Sequence, residues 1–481
     1  MNVAPPECPT SPGLTSCTHV AADQLLHMVG ERRQGGARFV DLVSLPGDRP
    51  SSAVILEVES GYEVLEVSGQ TLPSLQRYWP AAQWPDAAPA DDSLGVAPPG
   101  MVLIGDAGPV TWRRLDLAVA VDGDRIEDVH ARRGRLHGGL SGWATSHSYL
   151  QLPSLAETLN EHTPSTLGLL STLGIEALLG IEATQACQHA RVFVAELERL
   201  QSHCGWLVSQ ASATDDEALV GEARHAREHL AHLFVHLGGR RRATGIHLPG
   251  RILIEREGAD AIFDEVSSHL NHFIDVARRS LSSRRSWRRR LAGVGAIEAQ
   301  MVEDGALSGP TARATGLDID VRRRQPYLSY DQLDFDVPVG TAGDVVDRCI
   351  VRLAEMSQSL SLARQALAAS QGPLQVEDPR IVPPSTPTSI ASMIHHFELW
   401  MEGHGLQPVP DATAFVAIEA PEGELGLLLR SDGTSKPAWA HWRSPAYYHF
   451  DLLSQLLVGQ RLSDAKDLVA SLNINAAEMD R

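Results

Sequence analysis

Glu196, Arg199 and His203 stand three and four residues apart, so on a helix an acid, a permanent cation and an imidazole share one side. Arg191 precedes them on the same stretch. In a segment otherwise rich in Leu, Val and Phe this reads as a buried or interfacial polar network, used either for ion-paired structure or for acid–base chemistry. Further on, His225, His229, His232 and His236 recur at i, i+4, i+7 and i+11, a stripe that could share a Zn²⁺. In a chain with 20 histidines the same spacing also arises as the semi-polar edge of an amphipathic helix, here beside Arg224, Arg227 and Glu228. The densest basic patch is Arg284, Arg285 and Arg288 to Arg290 around Trp287. It suits a phosphate or membrane surface, or else a solvated helix end meeting an acidic neighbour.

Other chemistries are absent from the sequence. It has no P-loop, no GxGxxG opening a helix after a strand, no HExxH and no GxSxG elbow. The five cysteines (Cys8, Cys17, Cys187, Cys204, Cys349) are scattered, with no CxxC pair for a thiolate cage and no disulfide framework. A net charge of −19 over 481 residues excludes a general nucleic-acid binder. No apolar run approaches the ~18–20 residues of a membrane span, and Met1 to His27 lacks a signal-peptide pattern. The expectation is a soluble, cytoplasmic chain.

The elements that must position these residues follow from periodicity and punctuation. Residues 1–20 read as a flexible leader. Ala21–Arg33 is helical, Ala37–Leu45, Ala53–Val58 and Tyr62–Val67 are strands, and Leu72–Trp79 is a helix. Together they form a small α/β module over 21–99, closed by a Pro/Ala/Asp linker. Leu115–Ala120 and Ile126–Ala131 flank an Asp-Gly hairpin turn. The chain then turns helical: Pro164–Leu179 after Thr163 as N-cap, Gln185 to about Ser209 after Thr184, Asp216–Leu237, Asp260–Arg285 and Gly343–Ser370. A helix from Pro387 to Glu402, capped by Thr386, precedes strands at 412–418, 425–430 and 438–443. A helix at Tyr447–Val458 and a short tail end the chain. The fold class is α+β: a central helical bundle flanked by small antiparallel sheets, with the N-terminal module appended.

Leu179-Gly180-Ile181-Glu182, Arg191, Glu196, Arg199 and His203, read in order with Asp320 to Arg323, Tyr330-Asp331, Asp334 to Gly340, Glu355-Met356, His395 to Phe397, Glu419-Ala420-Pro421 and Ser431 to Thr434, resemble a known family. It is the large subunit shared by respiratory complex I (its 49-kDa subunit) and group 4 nickel–iron hydrogenases, and the likeness spans 100–481. Val40-Asp41-Leu42 and Tyr78 to Trp84 resemble the 30-kDa-type complex I subunit, and such a fusion is the layout of formate-hydrogenlyase-type hydrogenases. The resemblance implies a small iron–sulfur subunit and membrane subunits as partners, and a peripheral position on the inner face of the cytoplasmic membrane. It implies no nucleic acid and no membrane span of the chain's own. Arg191, Glu196, Arg199 and His203, with Arg322 and Arg323, would then serve partner contacts or internal ion pairing.

The departures from the family are chemical. The four positions that hold the nickel–iron centre through thiolates are Asn160, Thr163, Asn475 and Glu478. The arginine above that centre is Glu422, and the proton-transfer glutamate is Ser141, with only His137 and Gly139 left of its motif. The quinone site fares no better: its His-rich loop corresponds to 105–112, without histidine, and its tyrosine to Glu161, next to His162. The chain is therefore expected to bind no nickel–iron centre, any iron–sulfur cluster lying in a partner. Glu161, His162, Glu422 and Glu478 are the candidate catalytic groups, converging with Asn160, Thr163 and Asn475 in one cleft. Three functions compete: a scaffold or cryptic large subunit, an oxidoreductase subunit of the NADH:quinone type with a modified quinone or redox-carrier site, and a soluble binding protein.

Overall fold

The computed structural model describes residues 14–45, 51–68, 72–82, 97–104, 115–134, 136, 138–283, 285–383, 389–401 and 404–479. The N-terminal sheet is built from β1 (Leu14–Ala21), β2 (Arg38–Leu45), β3 (Ser51–Val58) and β4 (Gly61–Ser68), in the order β1-β4-β3-β2. β1 runs parallel to β4 and the other pairs are antiparallel, with helix α1 (Ala22–Gln34) packed on one face. The expected leader is therefore partly a strand. Its side chains are mostly small and polar because β1 lies at the sheet edge, where only Leu14 and Val20 are buried. The helix expected at Leu72–Trp79 is also not formed. Pro73 and Pro80 bracket a turn that drops Leu75 and Trp79 into the core, where Trp79 stacks on Phe39 with ring centroids 5.8 Å apart.

A three-stranded sheet follows, β5 (Val102–Leu103), β6 (Asp116–Asp122) and β7 (Arg125–Arg132), with the hairpin turning at Gly123. The bundle then forms from α2 (Pro164–Leu179), α3 (Gln185–Ala213), α4 (Glu217–Gly238), α5 (Ala259–Ser283) and α6 (Val345–Ala369). Thr184, Asp216 and Asp344 cap α3, α4 and α6 through side-chain oxygens that accept the N–H of Cys187, Leu219 and Asp347. Thr163 does not cap α2. Its hydroxyl accepts from Asn160 instead, and the carboxylate of Glu198 on α3 takes the N–H groups of Ser165 (2.9 Å) and Thr166 (2.5 Å). A carboxyl group at the positive end of a helix satisfies the same orphan donors from a distant part of the chain, although burial pushes the Glu198 pKa up to about 8.

Helix α7 (Ile390–Trp400) starts after a Ser389–Ser392 capping box rather than at Pro387; Thr386, Pro387 and Glu402 lie outside the described residues. The C-terminal sheet, β8 (Thr413–Glu419), β9 (Glu424–Ser431) and β10 (Pro437–Arg443), is antiparallel and packs on α2. Gly174 makes that approach possible, since a Cβ there would meet Leu429 at 2.9 Å. Instead of one helix at 447–458, two short ones form, Pro445–Asp451 and Leu453–Leu457. The expected tail is helix α8 (Leu462–Leu472) and a final turn at Ala476–Met479. α8 folds because Ala465, Leu468, Val469 and Leu472 form one buried face, and Arg348 of α6 donates to Ser471 Oγ at 2.9 Å.

The N-terminal module is fastened to the C-terminal sheet. Arg38 pairs with Glu57 at 2.6 Å and with Glu424 of β9, Tyr62 donates to Glu424 (3.1 Å), and Asp41 receives Tyr448 (2.6 Å) and His441 (2.8 Å). Among the described residues no helix is long and apolar enough to cross a membrane.

Candidate functional site

Helix α3 carries the Glu196–Arg199–His203 stripe into the middle of the bundle, where all three side chains are buried. Glu196 accepts from Tyr330 and Ser359 (each 2.6 Å), Arg322 (3.1 Å) and Arg199 (3.2 Å). Burial alone would raise its pKa, but the two guanidinium groups and the hydroxyl donors hold it down to about 2. Arg322 also pairs with Asp320 (2.7 Å), and Arg199 donates to the Glu419 carbonyl (2.6 Å). Burial pushes His203 down to about 4, so a neutral imidazole sits 2.9 Å from Glu355. Arg313 closes the set, 2.8 Å from Glu355 and 2.6 Å from Glu419. Its attraction overcomes burial and keeps Glu355 well below the usual carboxylate range.

Two members of the predicted set fall elsewhere. Arg191 leaves the stripe and grips Glu176 of α2 with both nitrogens, at 2.8 and 2.6 Å. Arg323 is exposed and lies over the Phe335 ring at 4.1 Å. Burial of Arg191, Glu196, Arg199, His203 and Arg322 removes them from any partner surface, so the expectation of partner contact gives way to pairing within the chain. Sequence reasoning missed Arg313 altogether, because its partners Glu355 and Glu419 lie 42 and 106 residues away.

The four positions that the hydrogenase resemblance assigns to metal ligands come together, as a hydrogen-bonded plug. Asn160 Nδ2 donates to Thr163 Oγ1 (2.6 Å) and to Glu478 Oε1 (2.5 Å), while Ser444 donates to Glu478 Oε2 (3.2 Å). Asn475 Oδ1 accepts the N–H of Ala477 (2.9 Å) and so starts the turn that presents Glu478. Beside the plug opens a cleft of about 490 Å³, lined by Glu161, His162, Glu422 and Asn475 among others. The three carboxylates divide between cleft and plug. Glu161 and Glu422 share the cleft, but Glu478 is not among its lining residues, because Asn160 and Ser444 engage both of its oxygens. Glu422 Oε1 accepts from Ser202 (3.0 Å) and Asn473 (3.1 Å), whereas its buried Oε2 has no partner. Burial raises the Glu422 pKa, against the pull of Ser202 and Arg352. Glu161 is half exposed, 3.9 Å from His162.

The cleft is also lined by Arg224 and Arg227 of α4 and by Arg242 beyond it. The signal for these was the Arg240-Arg241-Arg242 run just past the Gly238-Gly239 helix stop, with Arg224 and Arg227 one turn apart. The histidine stripe does not converge on a metal: His229 stacks on His269 (3.9 Å) and meets His225 edge-on (5.1 Å), while His236 bonds the Glu257 carbonyl. Among the described residues no group of three or more His, Cys, Asp or Glu is placed to hold an ion. In the basic patch Arg290 pairs with Asp467 of α8 at 2.5 Å. Arg284 and the side chains of 285–287 lie outside the described residues, as do His137 and the 105–112 loop.

The profile of the family described as respiratory-chain NADH dehydrogenase, 49 Kd subunit, matches residues 219–481. The D-type NADH-quinone oxidoreductase subunit of Wolbachia pipientis subsp. Culex pipiens is 33% identical over 388 residues, 79% of this chain and 98% of that protein. A D-type subunit of the same enzyme from Herpetosiphon aurantiacus is 33% identical over 392 residues, covering 79% and 92% of the two chains. The D-type subunit from Anaplasma phagocytophilum is 32% identical over 399 residues, covering 82% and 100%.

Proposed function

Because the chain belongs to the family of the 49-kDa subunit of respiratory-chain NADH dehydrogenase, we propose that it serves as the peripheral large subunit of a membrane-associated redox complex of the NADH:quinone oxidoreductase or hydrogenase type. The observation that carries assembly is α7. Ile390, Met393, Ile394, Phe397 and Met401 recur at helical spacing, and all five are exposed, Ile390 by 79%. An apolar stripe of that length left to water marks a contact surface. Its partners would be a small iron–sulfur subunit, which holds the cluster, and membrane subunits on the inner face of the cytoplasmic membrane. The module over 21–99 would be the 30-kDa-type partner fused in the formate-hydrogenlyase manner.

A nickel–iron centre does not fit this chain. Asn160, Thr163 and Asn475 offer neutral hard donors, the one anion, Glu478, is already bound on both oxygens, and soft thiolates are missing. The open cleft beside the plug favours a modified redox-carrier or proton-handling site at Glu161, His162 and Glu422 over a filled, purely structural scaffold. Affinity purification of the tagged chain from native membranes, followed by mass spectrometry, tests the assembly. An iron–sulfur protein and membrane proteins in stoichiometric amounts are expected; the chain recovered alone would overturn it and favour the soluble binding protein.

A further inference from the structure

The cleft is a cationic island on an acidic protein. Three guanidinium groups, Arg224, Arg227 and Arg242, face a single half-exposed carboxylate, Glu161, in a chain whose net charge is −19. Among the described residues none of the three arginines has an ion-pair partner, although nearby Arg241 pairs with Glu228. Arg227 Nε is shielded from solvent and bonds nothing, and neither does the buried Trp206 Nε1, also in the lining. Glu422 at the cleft lining is 3% exposed with Oε2 unpartnered. Buried donors and acceptors left unpaired cost about 1–3 kcal/mol each, and three of them on residues of one cavity mark a place where a ligand supplies the missing bonds.

We propose that this cleft binds an organic oxyanion, its charged head held by Arg224, Arg227 and Arg242 and its body reaching the Glu422 carboxyl group. The apolar side of such a ligand meets Trp206 and Ile474. A neutral quinone headgroup would leave the three guanidinium groups unanswered, whereas a carboxylate or phosphate engages them through charge-assisted bonds. The inference rests on reading the cleft as a ligand site, and it names the ligand's charge, which that reading leaves open.

The test is isothermal titration of the full-length chain with succinate, glycerol 3-phosphate, inorganic phosphate and neutral decylubiquinone. Binding of succinate or glycerol 3-phosphate, weakened by salt, is expected, and which of the two binds distinguishes a carboxylate from a phosphate head. Arg227→Gln should weaken it roughly tenfold or more, the loss of one charge-assisted bond. Arg242→Gln, at an exposed position that does not endanger folding, should weaken it too, while Arg241→Gln leaves it unchanged. Decylubiquinone binding without either organic anion overturns the proposal but keeps the cleft as a ligand site. Failure of all four probes overturns both. Inorganic phosphate alone, or organic-anion affinities that ignore Arg227→Gln and Arg242→Gln, overturns the proposal.

Discussion

Two polar clusters grow from the same helix, α3, and they are built on opposite terms. Around Glu196, Arg199 and His203 the charges are answered by Arg313, Asp320, Arg322, Glu355 and Glu419, all of them buried. A few residues along α3, Ser202 and Trp206 border the cleft, where Glu422 Oε2, Trp206 Nε1 and Arg227 Nε have no partner. Matched charge with no solvent access is structure, because each group's desolvation is offset only by the neighbours already there. Unmatched groups beside a void are structure waiting for a ligand. The family likeness runs through both clusters, so sequence similarity alone does not separate them; charge pairing and the adjoining void do, since Arg199 Nη1 and His203 Nδ1 of the closed cluster also lack a hydrogen bond.

The largest break comes from opening the closed cluster. Arg313→Leu takes the cation from Glu355 and Glu419, and should cost about 3–5 kcal/mol, read as a fall in the urea midpoint. An unchanged midpoint would mean that water already reaches the network. Second in size is a pH effect. The folded His203 titrates near 4 against an ordinary 6.5, so as pH falls the unfolded chain takes the proton first. Its contribution is complete above pH 6.5 and is lost between about 6.5 and 4, on the order of 3 kcal/mol. Thermal melts of wild type and His203→Gln across that range should differ by this slope, which parallel curves would contradict.

Smaller effects belong to the plug and the cleft. Asn160→Ala removes the donor to Thr163 and Glu478 and should cost about 1–3 kcal/mol. Glu422→Gln keeps the shape and leaves an amide oxygen to accept from Ser202 and Asn473, so it should shift stability by less than about 1 kcal/mol. A loss as large as that of Arg313→Leu would place Glu422 in the closed cluster instead.

Local rules made much of the fold legible. The Thr184 cap and the Gly238-Gly239 stop mark the start of α3 and the end of α4 within a residue or two, because those signals act over one turn. What was not legible depends on distant partners. β1 is a strand only because β4 offers an edge, and α2 is capped by Glu198 from 32 residues away. Helix α8 is an exception of the opposite kind: Ala465, Leu468, Val469 and Leu472 carry its apolar face at helical spacing, although a plain tail was expected there. Within the site, Asn160 and Glu478 could be paired only through the family likeness, being 318 residues apart. The cationic wall was present as residue types, but nothing local announces that Arg227 lacks a partner.

The central proposal is that the four positions matched to hydrogenase metal ligands bond to protein rather than metal, in a chain that serves a redox complex. Elemental analysis of the complex purified from its own host tests it most directly. The account predicts iron from the partner subunit with no stoichiometric nickel. Stoichiometric nickel, accompanied by hydrogen–deuterium exchange activity, would contradict it and require ligands other than Asn160, Thr163, Asn475 and Glu478.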